Sequence, residues 1–354
     1  MSEELNSLFE EARKGKISRR DFIKRSALVT GVSAVTLSGI LSACGQQVSD
    51  EPVIVAEPTG MRMATSELGA KCSWCMRGAD TVEWLGQLTG VEVVVYEGGL
   101  TIEGQRRNIE DMASQDWDWV QIHPASIDAF VDPVKQMIDR GIPVIDMDTR
   151  LVQDLESLGV VTFLEPDNFF MGSSVTQKLV EAINFGGQIV HTQGPLGHTG
   201  AQGRAAGFHS VVDQLPNIEV VDETPGNWDI DLVRSIWDDL LVKFPDIVGG
   251  MFHNDDMALA AYEAIKAVGR ENEIVIVGVD GMEPALKAVM DGTLLATVVN
   301  PTGRVHEGAF WVGYNIATGK TPKESVPPFI RTDGPLIDRT IAPGILYLAE
   351  NLLI

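Results

Sequence analysis

Hydrophobic positions follow two patterns that alternate along the chain from residue 61 onward. Short apolar runs without alternation are typical of strands buried on both faces of a parallel sheet, and apolar residues three or four positions apart are typical of helices. The predicted strands are residues 91–96, 119–122, 143–147, 160–164, 188–192, 220–222, 248–252, 274–279 and 295–299. Regular alternation of strand and helix over this length predicts an α/β protein with two parallel-sheet domains.

Residues 247–281 show one complete strand, helix and strand. The first strand ends before polar residues 253–256, whose side chains are suited to cap the helix that follows, and Gly269 ends that helix. Ligands of open parallel sheets bind outside the carboxyl ends of the strands. Asn254 and Asp280 are therefore predicted to lie together at a binding site for a polar small molecule.

The start of the chain has the features of an export signal. Residues 18–24, SRRDFIK, have the form of a twin-arginine signal. An uncharged stretch follows, and residues 41–44, LSAC, then have the form of a lipobox. We predict that residues 1–43 are a twin-arginine lipoprotein signal peptide, that Cys44 is lipidated, and that residues 44–60 form a tether. The protein would then be exported and anchored to the cell membrane by the lipid on Cys44.

The rest of the chain is strongly acidic. Residues 1–43 hold seven of the 27 basic and five of the 50 acidic residues, which leaves 20 basic against 45 acidic residues and a net charge of −25. Such a charge repels nucleic acid and anionic lipid, and no basic helix-turn-helix segment precedes the fold. We therefore expect no nucleic-acid partner.

Two segments of the 247–281 unit resemble the type I periplasmic sugar-binding proteins, the ribose- and galactose-binding group. Residues 254–261 read NDDMALAA and residues 277–281 read VGVDG, where the family has NDxMALGA and VGFDG. The resemblance extends from about Arg62 to about Arg331. The same core occurs in repressors of the LacI type, but the export signal and the acidic composition favour a receptor.

The resemblance implies two doubly wound parallel-sheet domains joined by a three-strand hinge. The first lobe would comprise residues 61–165 plus 301–329, and the second lobe residues 166–300 plus 330–354. The chain would cross between the lobes near residues 165–168, 300–301 and 326–330, with proline at or beside each crossing.

The same resemblance places polar and aromatic side chains around a ligand. Carboxylates, amides and arginine satisfy hydroxyl groups, and an indole covers the apolar face of a sugar. The implied ligand-binding residues are Trp74, His123, Asp148, Arg150, Gln202, Arg204, Trp228, Asn254, Asp280 and Asn300.

Several of these positions depart from the family pattern. His123 replaces an asparagine, and a loop histidine with a solvent partner is the alternative interpretation. Thr149 stands where arginine is usual and Arg150 follows one place late, so Arg150 is either a ligand contact or a solvated charge. Gln202 replaces another arginine, which predicts a ligand that is neutral at that end.

Cys72 and Cys75 are the cysteines that remain after Cys44. In a compartment where disulfides persist, a local disulfide is expected, with free buried thiols and a redox or metal-binding pair as alternatives. Trp74 lies between them, in a loop where family members carry stacking phenylalanines. It is therefore the candidate for that stacking role.

These patterns predict an extracytoplasmic substrate-binding lipoprotein that closes on a small neutral sugar or polyol and delivers it to the membrane permease of an ABC transporter. We expect a monomer. A sensory subunit for a chemoreceptor or kinase is the alternative, and a periplasmic thiol enzyme using Cys72 and Cys75 is a third. The sequence shows no nucleophile motif, metal-spaced histidines or dinucleotide fingerprint, so no enzymatic activity, metal or cofactor is expected.

Overall fold

The structure of this protein is a computed structural model that describes residues 56–351. The predicted signal peptide, the lipidation site Cys44 and most of the predicted tether lie outside the described residues. The described chain is an α/β protein with two lobes, each built on parallel strands with helices packed against them. This is the fold class that the alternating pattern predicts.

The first lobe is built on a six-stranded parallel sheet. Its strands are β1 (Arg62–Glu67), β2 (Glu92–Glu97), β3 (Trp119–Ile122), β4 (Val144–Met147), β5 (Phe163–Glu165) and β11 (Phe329–Arg331), in the spatial order β11, β5, β4, β3, β1, β2. Its helices are α1 (Ser73–Thr89), α2 (Ile102–Ala113), α3 (Val131–Asp139), α4 (Leu155–Leu158) and α10 (Thr302–Ala317). Helix α1 packs against α10, and α2 packs against α3.

The second lobe contains a four-stranded parallel sheet and a two-stranded antiparallel pair. The strands β6 (Gly187–Thr192), β7 (Ile218–Asp222), β8 (Ile247–Phe252) and β9 (Val275–Val277) lie in the order β7, β6, β8, β9, and β10 (Thr297–Val298) pairs with β12 (Leu336–Ile337). The helices are α5 (Asn168–Ala182), α6 (Thr199–Val212), α7 (Ile230–Lys243), α8 (Asp255–Ala267) and α9 (Glu283–Asp291). Helix α11 (Ala342–Asn351) follows β12.

The chain passes between the lobes three times. Residues 166–167 lead from β5 to α5, residues 299–301 lead from β10 to α10, and residues 332–335 lead from β11 to β12. The sequence places the third crossing near residues 326–330, whereas in the structure it follows Arg331. The reason is that β11 pairs with β5, with Arg331 opposite Glu165, which keeps residues 330 and 331 in the first sheet.

Helices α5 and α6 lie so close together that glycine is required where they touch. A Cβ atom at Gly172 would lie 2.1 Å from the carbonyl oxygen of Arg204, and one at Gly207 would lie 2.3 Å from that of Phe169. Close packing leaves no room for such atoms. The contact therefore fixes α6, and Arg204 with it, against the core of the second lobe.

Each lobe has its own apolar core. The first core includes Met112, Phe130 and Val144, and the second includes Phe208 and Met251. Among the described helices, none combines the length and hydrophobicity that a membrane crossing requires.

Candidate functional site

A cavity that is partly open to solvent lies where the two lobes meet at the carboxyl ends of their strands, and about 290 Å³ of space there, open solvent included, is not filled by protein atoms. It is lined by Leu68, Cys72, Trp74, His123, Asp148, His198, Arg204, Trp228, Asn254, Asp280 and Asn300. The structure therefore brings together eight of the ten side chains that the family resemblance implies.

The lobes contact each other directly near this cavity. Ser73 Oγ donates a hydrogen bond to Asp256 Oδ2 at 2.8 Å. The backbone N–H of Ile127 donates to the carbonyl oxygen of Gly197 at 2.9 Å. Each bond joins a first-lobe residue to a second-lobe residue, so the structure is a closed arrangement of the two lobes.

His123 follows β3 directly and is buried between two carboxylates. Its Nδ1 lies 3.4 Å from Glu67 Oε2, and its Nε2 lies 3.4 Å from Asp148 Oδ2. Burial disfavours the imidazolium, but Asp148 and Glu67 outweigh burial and raise the pKa of His123 to about 9. Burial alone would raise the pKa values of Glu67 and Asp148. His306 and His123 outweigh burial and lower the pKa of Glu67 to about 2, and His123 holds the pKa of Asp148 well below its usual range. His123 is therefore a cation at neutral pH.

Asp148 connects the first lobe, the hinge and the second lobe. Its Oδ1 accepts a hydrogen bond from Asn300 Nδ2 at 3.2 Å. Its Oδ2 lies 3.4 Å from His123 Nε2 and 3.5 Å from His198 Nε2. The φ angle of Asp148 is 57°, a left-handed conformation that non-glycine residues rarely adopt and that is common at functional sites. Both carboxylate oxygens are thus engaged by protein groups.

Arg204 and Asp280 are buried next to each other in the second lobe. Arg204 Nη2 lies 3.4 Å from Asp280 Oδ1, Nε donates to Asn168 Oδ1 at 3.0 Å, and Nη1 donates to the carbonyl oxygen of His253. Burial raises the pKa of Asp280 to about 8, although Arg204 opposes the shift. Asp280 is therefore mainly protonated at neutral pH, and its carboxyl group can donate as well as accept a hydrogen bond.

A disulfide joins Cys72 and Cys75 at the start of α1. Between them, Trp74 Nε1 donates to the carbonyl oxygen of Asn300 at 3.1 Å, and Thr302 Oγ1 donates to the carbonyl oxygen of Trp74 at 2.8 Å. The Trp74 ring centroid lies 5.0 Å from that of His123. Trp74 is thus held by its backbone and by its only polar side-chain atom.

Trp228 lines the cavity from the second lobe. It is buried and has a φ angle of 61°. Its ring lies against Gly194, where a Cβ atom would be 2.2 Å from the indole. The His198 ring centroid is 5.4 Å away, and the Arg204 guanidinium lies 5.8 Å from the indole centroid. One tryptophan from each lobe therefore faces the cavity.

Gln202 and Arg150 do not line the cavity. Gln202 is exposed, and its Nε2 donates to the carbonyl oxygen of Leu196 at 2.8 Å. The Arg150 guanidinium lies 4.9 Å from the centroid of the Phe163 ring and 3.6 Å from Glu165 Oε1. The structure places both side chains against other parts of the protein. Arg150 does not contact the cavity, so the structure does not support its interpretation as a ligand contact.

Three cavity residues are absent from the ligand-binding set implied by the family resemblance: Leu68, His198 and Cys72, which was predicted only as half of a disulfide. His198 is the N-cap of α6, and its Nδ1 accepts a hydrogen bond from the backbone N–H of Ala201 at 3.3 Å. A polar side chain suited to cap a helix, four positions before the predicted ligand contact Gln202, was the signal that could have identified it. Leu68 carries no comparable signal, because an apolar residue after a strand is usually part of the core.

Three groups of side chains place potential metal-binding atoms within 4.8 Å of one another: Glu67, Cys75 and His123; His123, Asp148 and His198; and His191, His209 and Glu223. The first group is unsuitable because Cys75 is in the disulfide. The second is unsuitable because His198 Nδ1 accepts a hydrogen bond, which leaves the proton of the neutral ring on the Nε2 that faces Asp148.

Hydrogen bonds also occupy the third group. His253 Nδ1 accepts from the backbone N–H of Gly194 at 3.0 Å, so His253 Nε2 carries a proton toward His191 Nε2, 2.7 Å away. His191 must then carry its own proton on Nδ1, which lies 2.8 Å from Glu223 Oε1. His191 Nδ1, the nitrogen that would bind a metal in this group, is therefore a hydrogen-bond donor.

The raised pKa of His123 predicts a loss of stability in alkali. Its folded-state pKa of about 9 exceeds its ordinary value of 6.5, so the stabilisation is complete below pH 6.5 and is lost as the pH rises toward and beyond 9. We expect the free energy of unfolding to fall by up to about 3 kcal/mol between pH 7 and pH 10. Urea unfolding across this range measures the slope, and His123→Asn should flatten it. An equal slope in the variant would contradict the assignment.

The two α/β lobes, the three crossings and the cavity between strand ends define a type I periplasmic binding protein. The model of a family described as a periplasmic binding protein domain matches residues 71–321, and this chain belongs to that family.

Individual proteins similar to this chain are named for several different ligands. The chain is 29% identical to the D-ribose/D-allose-binding protein of Pseudomonas aeruginosa over 66% of its own length and 73% of that protein. It is 26% identical to an ABC transporter solute-binding protein of Mycobacterium smegmatis with bound glycerol, with a TM-score of 0.74, over 81% of this chain and 96% of that one. The fructose-binding periplasmic domain of a hybrid two-component system is 25% identical, with a TM-score of 0.74, over 82% and 94%.

Proposed function

We propose that this chain is an extracytoplasmic substrate-binding lipoprotein of an ABC transporter, which closes on a small neutral sugar or polyol for import. The observation that carries the proposal is the lining of the cavity, where a tryptophan from each lobe faces buried carboxyl, amide and imidazole groups. Hydroxyl groups pair with such side chains, and the carbon frame of a sugar packs against indole rings. Contacts with both lobes would favour the closed form.

The charges around the cavity support a neutral ligand. Glu67 and Asp148 are anions, because their pKa values are lowered. His123 and Arg204 are cations, and Asp280 is mainly neutral at pH 7 because burial raises its pKa to about 8. Two buried positive charges therefore face two buried negative charges, and a charged ligand would disturb this balance at a high desolvation cost.

The relatives support the same chemistry and the same delivery route. The Pseudomonas protein is named for two sugars, and the Mycobacterium protein is an ABC transporter component with bound glycerol, the smallest common polyol. We therefore assign a membrane permease of the ABC type as the partner and treat the chain as a monomer that presents its closed complex.

The twin-arginine and lipobox motifs of residues 18–24 and 41–44 support export and membrane attachment through Cys44. Fractionation of cells that produce residues 1–354 tests this assignment. The natural chain should be found with the membrane, and Cys44→Ala should be released into the soluble extracytoplasmic fraction. Equal membrane association of both chains would contradict lipidation at Cys44.

The ligand assignment is tested by thermal unfolding of residues 45–354 against pentoses, hexoses, deoxysugars and polyols. A ligand that binds only the folded form adds about 2.7 kcal/mol at a concentration one hundred times its dissociation constant. We expect a clear rise in melting temperature with at least one such compound. No rise across the panel would contradict a sugar or polyol ligand.

The likeness to a fructose-binding sensor domain keeps sensing as the second candidate function. Deletion of the gene distinguishes import from sensing. Import predicts that uptake of the radiolabelled ligand is lost, whereas sensing predicts unchanged uptake and a lost transcriptional or chemotactic response.

A further inference from the structure

The polar atoms around the cavity are of two kinds, those already paired within the protein and those left unpaired. On the first lobe, Asp148 is engaged at both oxygens by Asn300, His123 and His198. Both His123 nitrogens face carboxylates. Both charged first-lobe side chains at the cavity therefore already face opposite charges within the protein.

Four buried atoms on cavity-lining side chains make no hydrogen bond within the described part of the chain. One is His123 Nδ1 of the first lobe, which lies 3.4 Å from Glu67 Oε2, and the other three belong to the second lobe and the hinge. Asp280 Oδ1, Asn300 Oδ1 and Trp228 Nε1 are buried and make no hydrogen bond within the described part of the chain, although Arg204 lies 3.4 Å from Asp280 Oδ1. Buried polar atoms without partners are uncommon in folded proteins. These three atoms lie on side chains that line the cavity, where hydroxyl groups of a ligand would satisfy them.

The remaining first-lobe wall is apolar. It consists of Leu68, Cys72 and Trp74. The sulfur of Cys72 is bonded to that of Cys75, and the indole N–H of Trp74 already donates to the Asn300 carbonyl oxygen. No side chain of this wall offers a free strong donor or acceptor, so a ligand hydroxyl placed against it would lose its hydrogen bonds to water without replacement.

We propose that the ligand is a deoxysugar or deoxypolyol, bound with its hydroxyl groups toward Asp280, Asn300 and Trp228 and with a methyl or unsubstituted carbon against Leu68, Cys72 and Trp74. The proposal rests on the proposed function and narrows its ligand class. An apolar ligand edge matches the apolar wall, whereas a hydroxymethyl group at the same place would be desolvated without a partner.

Calorimetric titration of residues 45–354 with matched sugar pairs tests the proposal. The pairs are L-rhamnose with L-mannose, L-fucose with L-galactose, D-fucose with D-galactose, and 1-deoxy-D-xylulose with D-xylulose, whose members differ by one hydroxyl group. We expect the deoxy member of at least one pair to bind about tenfold tighter or more than its parent, which is the discrimination expected from one unpaired buried hydroxyl.

Two variants of Leu68 connect this preference to the wall. Leu68→Asn supplies a donor and an acceptor, so the deoxy preference should shrink at least threefold. Leu68→Val keeps the wall apolar and should retain the preference, and it controls for a change of size. Thermal unfolding of both variants without ligand shows that each is folded before its affinities are compared.

Each outcome decides a different claim. Parent sugars that bind as tightly as or tighter than their deoxy partners, in every pair that binds, would overturn the deoxy-ligand proposal and leave the sugar-binding function intact. A deoxy preference that Leu68→Asn leaves unchanged would overturn the assignment of the wall. If no compound among these pairs or the wider sugar and polyol panel binds, both the narrower proposal and the proposed function fall.

Discussion

Asp148→Ala is expected to reduce ligand affinity more than a hundredfold and to lower the free energy of unfolding by about 3–5 kcal/mol, the usual cost of leaving one partner of a buried ion pair uncompensated. The substitution removes the carboxylate that His123, His198 and Asn300 share. It therefore leaves a buried imidazolium with Glu67 alone and breaks a link between the lobes. Calorimetric titration measures the affinity, and urea unfolding measures the stability.

Two further variants define what this result means. Asp148→Asn retains the shape but loses the charge, and we expect it to fall between the natural chain and alanine in stability. Asp139→Ala removes an exposed carboxylate that lies 2.9 Å from Lys135 Nζ, and its effect on stability should stay within about 0.5 kcal/mol. If Asp148→Ala bound ligand within threefold of the natural chain, the network around His123 would have no part in binding.

Reduction of the Cys72–Cys75 disulfide is expected to weaken ligand binding about ten- to hundredfold. The disulfide closes the turn that starts α1, and Trp74 lies inside that turn with its indole N–H on the Asn300 carbonyl oxygen. Freeing the turn would release Trp74 from the cavity wall, and an aromatic contact with a ligand contributes roughly 1–3 kcal/mol through buried area and geometry. Titration with and without a thiol reductant measures the loss.

The variant with Cys72→Ser and Cys75→Ser provides the matched control. Residues 45–354 contain no other cysteine, so reductant should have no effect on this variant, whose affinity should equal that of the reduced natural chain. Affinity that is independent of reductant in the natural chain would contradict a role for the disulfide in binding. Turnover of a thiol or disulfide substrate that disappears in the double variant would instead support the thiol-enzyme alternative.

Much of the fold was predictable because its signals are local. The strand predicted at residues 119–122 is β3, and the segment 247–281 forms β8, α8 and β9 with the polar loops at the strand ends. Apolar runs and capping residues lie within a few positions of the elements they define. The two short strands β11 and β12 were not predicted, because each is only two or three residues long and pairs with a strand that is distant in sequence.

The cavity residues that lie in loops after strands could be predicted, because the ends of the strands could be predicted. Trp228, Asn254 and Asp280 reach the cavity because the loops that carry them follow strands of one parallel sheet or its extension. Gln202 and Arg150 do not, because neighbouring residues of a helix or loop point in different directions and sequence position alone does not give the direction.

Local sequence patterns were enough to predict the α/β class, the position of most strand ends and most residue types that line the cavity. Which polar atoms are paired and which remain available depends on tertiary contacts. Asp148 is engaged by Asn300, 152 positions away, and Trp74 by the same residue across 226 positions. The physical reason is that the hydrogen-bonding capacity and the pKa of a buried group depend on neighbours that folding brings together, and these neighbours leave no mark in the local sequence.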